Sequence, residues 1–282
     1  MTATATSSPT PAASVPGRRP AKRQKSWGER LLRKRGPGIL AFIAFIALWQ
    51  LAILVFDPNP ILFPGPGEVT SKWLDAAADG SMWKATADSA YAMIIGLVIS
   101  LVLGVPLGLW IGMSPTADLI TSPYLWGFFA MPRIALAPLM ILWLGFTTDV
   151  KIWLVVLSAI IPIILSCKDG VQTADESMLR AARSFGANKL QLFGKVIAPG
   201  TLPFIASGIR NGISRGFVGL LVIELTVGTG GIGTEVIRSA RDLDTARMFA
   251  FTATLIAGAL MLVSLSRQLE RYASRWREEV VL

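Results

Sequence analysis

Four ionisable side chains lie inside long apolar segments of this 282-residue sequence, at Arg133, Arg210, Arg215 and Glu224. A charged side chain at the centre of a membrane-spanning helix costs about 2.5–3.5 kcal/mol on insertion scales, so such residues usually face protein or water. We predict that some of these residues face a polar pathway through the membrane, where arginine would attract an anion. Two alternatives stay open. Arg210 and Arg215 could reach lipid phosphates near the membrane surface, and Glu224 could bond an arginine or a backbone group of a neighbouring helix.

Arg133 is the strongest of these candidates because of the prolines around it. It directly follows Pro132, and Pro123 and Pro138 interrupt the same apolar segment. Irregular backbone at membrane depth is tolerated where it is buried in protein or lines a cavity. We therefore expect Arg133 to face a cavity within the membrane.

Several other kinds of site are excluded by residue counts and spacing. The chain has no histidine and one cysteine, Cys167, so it has no His-based zinc site, no Ser-His-Asp triad and no internal disulfide. Residues 228–233 fit a G-x-G-x-x-G pattern but follow an apolar segment rather than a strand, and Gly194-Lys195 lacks the spacing of a phosphate-binding loop. We predict no catalytic, metal or cofactor site in this chain. Because it has no ATP-binding motif, any process that needs ATP must obtain that energy from a partner protein.

The elements that position the charged residues are predicted to be transmembrane helices. Hydrophobic residues make up 52% of the chain and charged residues 16%, against roughly 25% charged in soluble domains. The sequence therefore predicts an all-α integral membrane protein with six transmembrane helices, occupying residues 38–266. Its predicted spans are about 38–56, 90–113, 119–146, 152–167, 204–227 and 248–265.

Basic residues predict the orientation of these spans. Residues 1–37 form a basic tail that we expect to be disordered, and residues 267–282 form a second tail. With both tails in the cytoplasm, 18 of the Lys and Arg residues lie on the cytoplasmic side and six on the other. This asymmetry follows the positive-inside rule, so we expect a multi-pass protein of the bacterial plasma (inner) membrane with both termini cytoplasmic.

Two spans carry small residues at every fourth position. The second has Gly96, Ser100, Gly104, Gly108 and Gly112, and the fifth has Gly208, Gly212 and Gly216. Ridges of small residues let helix backbones approach closely in lipid. These two helices are therefore expected inside a bundle.

We call the connector between the fourth and fifth spans, residues 168–203, the elbow. It is much longer than the usual connector of about two to eight residues. Residues 175–185 have helical composition and precede Gly186, a residue type that commonly follows a helix end. Asn188 and Gln191 have capping-box spacing, which predicts a second short helix.

Two prolines and a group of apolar side chains complete the elbow. We expect Pro199 and Pro203 to end its second helix before the chain re-enters the membrane. The apolar side chains expected near water are Leu179, Phe185, Leu190, Leu192 and Phe193. Such a surface indicates that another protein docks there, and the alternative is that the elbow folds back onto the base of its own bundle.

An ordered series of motifs runs through the elbow and its flanks. It comprises Arg180-Ala181-Ala182-Arg183-Ser184-Phe185-Gly186-Ala187, Gln191-Leu192-Phe193, Val196-Ile197, Pro199, Leu202-Pro203 and Gly208-Ile209-Arg210. Matches elsewhere are Phe63-Pro64-Gly65-Pro66, Pro132-x-x-Ala135-x-x-Pro138, Trp143-Leu144-Gly145, Glu224, Gly231-Ile232-Gly233 and Asp244-Thr245. Over about residues 38–277 the chain resembles the permease subunits of ABC importers, with the elbow as their EAA loop. It is most similar to the nitrate/sulfonate/taurine group.

This resemblance implies the type I ABC importer permease (MetI-like) fold and a set of partners. It implies a second permease copy, as a homodimer, two ABC ATPase subunits that bind ATP and Mg, and an extracytoplasmic substrate-binding protein. The transported solute would be small and polar, and the arginines favour an anion such as a sulfonate, taurine or nitrate. The elbow would be the coupling helix, with ATPase contacts at Leu179, Arg180, Ala181, Ala182, Phe185, Gly186, Ala187, Leu190 and Phe193.

The chain departs from the family motif at one position, where Arg180 replaces the usual glutamate. This charge reversal calls into question any ion pair between the motif and the ATPase, unless Asp175 or Glu176 takes over the role.

Two other classes of protein compete with the permease interpretation. One is a membrane-embedded enzyme, which needs a convergent acid/base or metal set and would have to build it without histidine. The other is a membrane channel or scaffold with no ATPase partner, which leaves the elbow unexplained. Co-purification with an ATPase distinguishes the permease from both.

Overall fold

The computed structural model describes residues 27–273, except for the side chains of residues 27–35, 133, 134, 269, 272 and 273. All regular structure in this part of the chain is helical. The α-helices are α1 Trp27–Phe56, α2 Pro66–Ala78, α3 Ser81–Met113, α4 Pro115–Ala130, α5 Ala137–Leu144, α6 Thr148–Gln172, α7 Glu176–Ser184, α8 Lys189–Leu192, α9 Ala198–Val227, α10 Ile232–Arg241 and α11 Thr245–Ala273. A 3₁₀ turn at Arg133–Leu136 and a π-helical turn at Phe193–Ile197 join neighbouring helices. The chain divides into residues 1–51 and 52–282, and helices α2 to α11 pack together within the second unit.

Five helical stretches within residues 27–273 are long and apolar enough to cross a membrane. They are Gly36–Phe56, Ser81–Met113, Thr148–Gln172, Lys189–Arg241 and Thr245–Gln268. An all-α membrane protein is therefore confirmed, whereas the six-helix arrangement stays a prediction. The basic tail at residues 1–26 and the last residues, 274–282, lie outside the described part.

The predicted span at residues 119–146 is divided in the structure. Helix α4 ends at Ala130, the 3₁₀ turn follows Pro132, and α5 begins at Ala137. Met131 has the extended conformation, with φ −65° and ψ 132°. A proline disfavours helical geometry in the residue before it, so Pro132 accounts for the end of α4.

The core is built around α6, which packs against α3 on one side and α9 on another. The glycines of α3 and α9 lie against it, as their four-residue spacing predicts. A Cβ at Gly108 would lie 2.6 Å from the Ile164 carbonyl oxygen, and one at Gly212 would lie 2.9 Å from the Ile163 side chain. The helix backbones are therefore too close for a side chain at these positions.

Pro199 and Pro203 do not end the second elbow helix, so that prediction is wrong. The chain stays helical from Lys189 to Val227, with Pro199 in the first turn of α9 and Pro203 inside it. The π turn at residues 193–197 directly precedes Pro199, and a local π adjustment of this kind accommodates a proline, which lacks the N–H of a regular helical residue. The elbow is thus continuous with α9.

Candidate functional site

The elbow consists of two short helices, each capped by its own side chains. Asp175 caps α7 by accepting a hydrogen bond from the Ser177 N–H at 2.7 Å, and hydrogen bonds from Ser177 lower the pKa of this carboxyl. Asn188 accepts from the Gln191 N–H at 2.8 Å, while Gln191 accepts from the Asn188 N–H at 3.0 Å. The predicted capping box is therefore confirmed, and it fixes the start of α8.

Gly186 makes the turn between these helices. Its φ is +78°, a left-handed value that favours glycine, and the Ala187 N–H donates to the Ala182 carbonyl at 3.0 Å. The turn is therefore defined by a left-handed glycine and by a hydrogen bond that closes the end of α7.

The tip of the elbow carries exposed apolar side chains. Phe185 is 91% exposed and Leu190 is 80% exposed, whereas Leu179 and Phe193 are half-buried. Among the remaining predicted contact residues, Arg180, Ala181 and Gly186 are exposed, while Ala182 and Ala187 are half-buried. The tip residues therefore do not fold back onto the bundle of this chain.

Arg180 is paired within its own helix. Its guanidinium lies 3.2 Å from the Glu176 carboxylate one turn earlier, and both side chains are largely exposed. Exposed pairs at this spacing contribute only about 0.3–0.5 kcal/mol. Arg180 thus remains available to a partner despite its reversed charge.

The arginines of α9 lie in different surroundings. Arg210 forms an ion pair with Glu270 of α11 at 2.9 Å, and Arg215 lies over the ring of Phe129, 5.1 Å from its centroid. Five helical residues correspond to a rotation of about 140°, so the two side chains leave α9 on different faces. The side chain of Arg133 lies outside the described part, although its backbone belongs to the 3₁₀ turn.

A cavity of 310 Å³ lies beside the break between α4 and α5. Arg215 lines it, together with Phe129, Met131, Pro132 and Val218. The structure therefore places Arg215, one of the four candidate residues, beside the helix break at Pro132.

Glu224 is fully buried, with 0% exposure, at the end of the bundle opposite the elbow. Its carboxylate accepts from the Ser89 hydroxyl at 2.7 Å and from the Gly233 N–H at 3.0 Å, and Lys151 Nζ lies 3.7 Å away. Lys151 is 1% exposed and also donates to the Gly230 carbonyl at 3.2 Å. These contacts fit the alternative in which Glu224 bonds a backbone group of a neighbouring helix, and its place along the pathway stays a prediction.

The glycine pattern at residues 228–233 is explained by this carboxylate. Gly231 has φ +97°, and a Cβ there would lie 2.0 Å from Glu224 Oε1. A Cβ at Gly233 would lie 2.8 Å from Glu224 Cβ. Gly231 and Gly233 are therefore explained by the close approach of the backbone to Glu224, and Gly228 and Gly230 by their positive φ values of +72° and +88°.

The partners of Glu224 were missed by sequence reasoning. Lys151 was assigned to a connector, but it lies inside α6, and Ser89 is 135 residues from Glu224 in sequence. The sequence indicated only that some partner exists, because a carboxylate buried in an apolar span is costly unless it is paired or hydrogen-bonded.

A second polar cluster ties α4 to the elbow end of α6. Lys168 Nζ lies 2.9 Å from Asp118, and Gln172 donates to the same carboxylate at 2.7 Å. Hydrogen bonds from Ser122 and then from Lys168 lower the pKa of Asp118 to about 2. This cluster was also missed, since its members are about 50 residues apart.

These features define a multi-pass helical membrane protein with a rigid external elbow and a charged cavity beside a broken helix. Residues 104–278 match the family described as binding-protein-dependent transport system inner membrane component, and the chain belongs to this family. The interpretation as an ABC importer permease subunit is therefore confirmed, and the channel and enzyme alternatives are not favoured.

Individual relatives are similar over most of their length. The taurine transport system permease protein of Escherichia coli (strain K12) is 30% identical over 263 residues, covering 92% of this chain and 96% of the relative. A permease protein of the same organism named for aliphatic sulfonates transport is 32% identical over 235 residues, covering 83% and 89%. The riboflavin transport system permease protein of Chloroflexus aurantiacus is 29% identical over 238 residues, covering 84% and 88%.

Proposed function

We propose that two copies of this chain form the translocation pathway of an importer for a small organic anion of the sulfonate class. Two ATPase subunits bind the elbows and drive transport, and an extracytoplasmic binding protein delivers the solute. Both termini and the elbow lie in the cytoplasm. The single observation that carries this proposal is the rigid elbow with an exposed apolar tip.

The elbow has the features of a docking element. Large apolar side chains such as Phe185 and Leu190 gain free energy when another protein covers them, at roughly 25 cal/mol per Å². Capping and the Gly186 turn fix the tip before any partner arrives, which reduces the entropy lost on binding. Burial of apolar surface and the small entropy loss both favour the binding of a protein partner at this tip.

The elbow is also connected to the bundle in a way that transmits movement. The chain is helical from Lys189 through α9, so a displacement of the tip is passed to α9 without an intervening loop. At the other end of the elbow, Lys168 links α6 to Asp118 of α4. ATPase movement would therefore act on both sides of the cavity beside the α4–α5 break.

A sulfonate-type solute is supported by two observations. Two of the similar permeases bear names that refer to taurine or aliphatic sulfonates. Arg215 supplies a positive charge at the cavity. The riboflavin permease among the relatives shows that similarity at this level does not fix the solute.

Purification of the tagged chain from its native membrane in mild detergent tests the partner assignment. We expect an ABC ATPase in stoichiometric amount by mass spectrometry, and Phe185→Asp should remove it. The matched control is Leu62→Asp between α1 and α2, which changes a similarly exposed apolar residue outside the candidate spans and away from the elbow and should retain the ATPase. Repeated purification of well-folded chain alone would contradict the proposal.

A further inference from the structure

Arg215 lies at the middle of an apolar stretch that is long enough to cross a membrane. It is residue 12 of the 24 in the apolar stretch 204–227. With a rise of 1.5 Å per residue, the stretch extends about 17 Å to either side, which is roughly half of a hydrocarbon core about 30 Å thick. A lysine or arginine at this depth cannot easily reach either membrane surface.

The positive charge of Arg215 is not neutralised by another part of the described chain. Within residues 27–273, no carboxylate with a described side chain lies within 4.0 Å of its guanidinium. Its contact with the Phe129 ring is a cation–π interaction, which leaves the five N–H donors available. Arg210 differs, because Glu270 already binds it.

The cavity beside Arg215 has the properties of a site for a small solute. Its volume of 310 Å³ is at the lower end of the usual range for ligand pockets, about 300–1,000 Å³. Its walls are mostly apolar, with Phe129, Met131, Pro132 and Val218 around a single charged group. The break between α4 and α5 also supplies irregular backbone, which at membrane depth belongs beside protein or water.

We propose that this cavity is a binding site for the oxyanion head group of the solute during its passage, with Arg215 as the residue that selects for negative charge. A guanidinium can bind a sulfonate or carboxylate through two parallel N–H···O bonds. Phe129 holds the guanidinium in place from one face. This inference rests on the proposed import function and names the point in the pathway where charge is recognised.

A charged thiol reagent tests this site directly. Val218→Cys places a thiol on the cavity wall, one turn from Arg215, while the native Cys167 is buried and serves as the unreactive background. The reagents are sulfonatoethyl methanethiosulfonate, which is itself a small sulfonate, and its trimethylammonioethyl analogue. Each reacts by transferring its thioalkyl group to the thiolate, forming a disulfide and releasing methanesulfinate.

The expected result is a preference for the anionic reagent that depends on Arg215. In the intact complex in nanodiscs, Arg215→Gln should lower the ratio of anionic to cationic labelling rates by at least about tenfold, because a unit charge next to the thiol is removed. Arg215→Lys should retain most of the preference. Arg210→Gln is the matched control and should change the ratio much less, since position 210 lies eight residues, about 12 Å along α9, from the thiol at position 218.

Competition separates solute binding from simple attraction. Ethanesulfonate should slow labelling of the thiol in Val218→Cys, while ethyl methyl sulfone, a neutral molecule of similar size, should not. An unchanged rate ratio in Arg215→Gln would overturn the inference. Labelling of the thiol at position 218 by uncharged reagents alone would also overturn it, because that result would place position 218 against lipid. If these results occurred while the ATPase still co-purified and solute uptake persisted, the proposed function would stand and only the site would fail.

Discussion

The buried pair of Lys151 and Glu224 should make a larger contribution to stability than any exposed ion pair of this chain. We consider Lys151→Met, Glu224→Gln and the double variant. The charges lie 3.7 Å apart with 1% and 0% of the side chains exposed. At an effective dielectric constant of about 20, their Coulomb attraction is roughly 4–5 kcal/mol, which offsets much of the cost of removing them from water.

Lys151→Met alone should therefore lower the free energy of unfolding strongly. Glu224 would keep its hydrogen bonds from Ser89 and Gly233 but would hold a buried charge without a counterion. Breaking a buried pair in this way costs about 3–5 kcal/mol. The double variant removes both charges, retains the shapes of the side chains and should recover most of that loss.

A double-mutant cycle on the free energy of unfolding measures this coupling in detergent by reversible denaturant titration. We expect a coupling of about 2–3 kcal/mol between the two sites. The control cycle uses Lys72 and Asp244, whose side chains are 45% and 30% exposed, and should give under about 1 kcal/mol. Additive losses in the Lys151 and Glu224 cycle would refute the reasoning, because they would mean that the charges act independently.

Three further predictions concern the glycine loop, the α4–α6 cluster and the elbow. Gly231→Ala should lower the unfolding free energy by about 2–3 kcal/mol, because φ is +97° and the new Cβ would meet Glu224. Gly127→Ala, which has open space inside α4, should instead raise it by up to about 1 kcal/mol in the same titration. Asp118 has its pKa lowered from 3.8 to about 2, so its ionised form stabilises the fold above about pH 4. The stability difference between the native chain and Asp118→Asn should shrink as the pH falls from about 4 to 2, and a constant difference would contradict this. Asn188→Ala should lower the unfolding free energy by about 1 kcal/mol, because it removes the α8 cap. The same variant should reduce solute-stimulated ATPase activity of the complex, and unchanged activity would count against a coupling role of the capped elbow.

The features that the sequence predicted well depend on local composition and spacing. An excess of apolar residues is sufficient to identify a membrane protein, because lipid requires it along each span. The cap at Asn188 and Gln191 was predictable because its partners are three residues apart. Glycines four residues apart share a helix face wherever the helix lies, so close packing at Gly108 and Gly212 was predictable, whereas the structure identified α6 as the helix they pack against.

Proline positions were interpreted less well, because their effect depends on the turn in which they fall. Pro132 ended α4 as expected from its effect on the preceding residue. Pro199 looked equivalent in the sequence, yet it occupies the first turn of α9 after a π-helical turn and leaves the helix continuous. Local sequence does not show which of a helix's hydrogen bonds a proline will remove.

The sequence alone determined that Arg210, Arg215 and Glu224 were costly in a membrane and needed partners or water. Only the tertiary structure decided which of them has a protein partner. Glu270 binds Arg210 from 60 residues away, and Ser89 and Lys151 bind Glu224 from other helices. Arg215, in contrast, lies beside Phe129 at a cavity. Charge and burial cost are properties of a residue and its span, whereas pairing depends on how separate helices pack, and that is set by contacts distributed over the whole bundle.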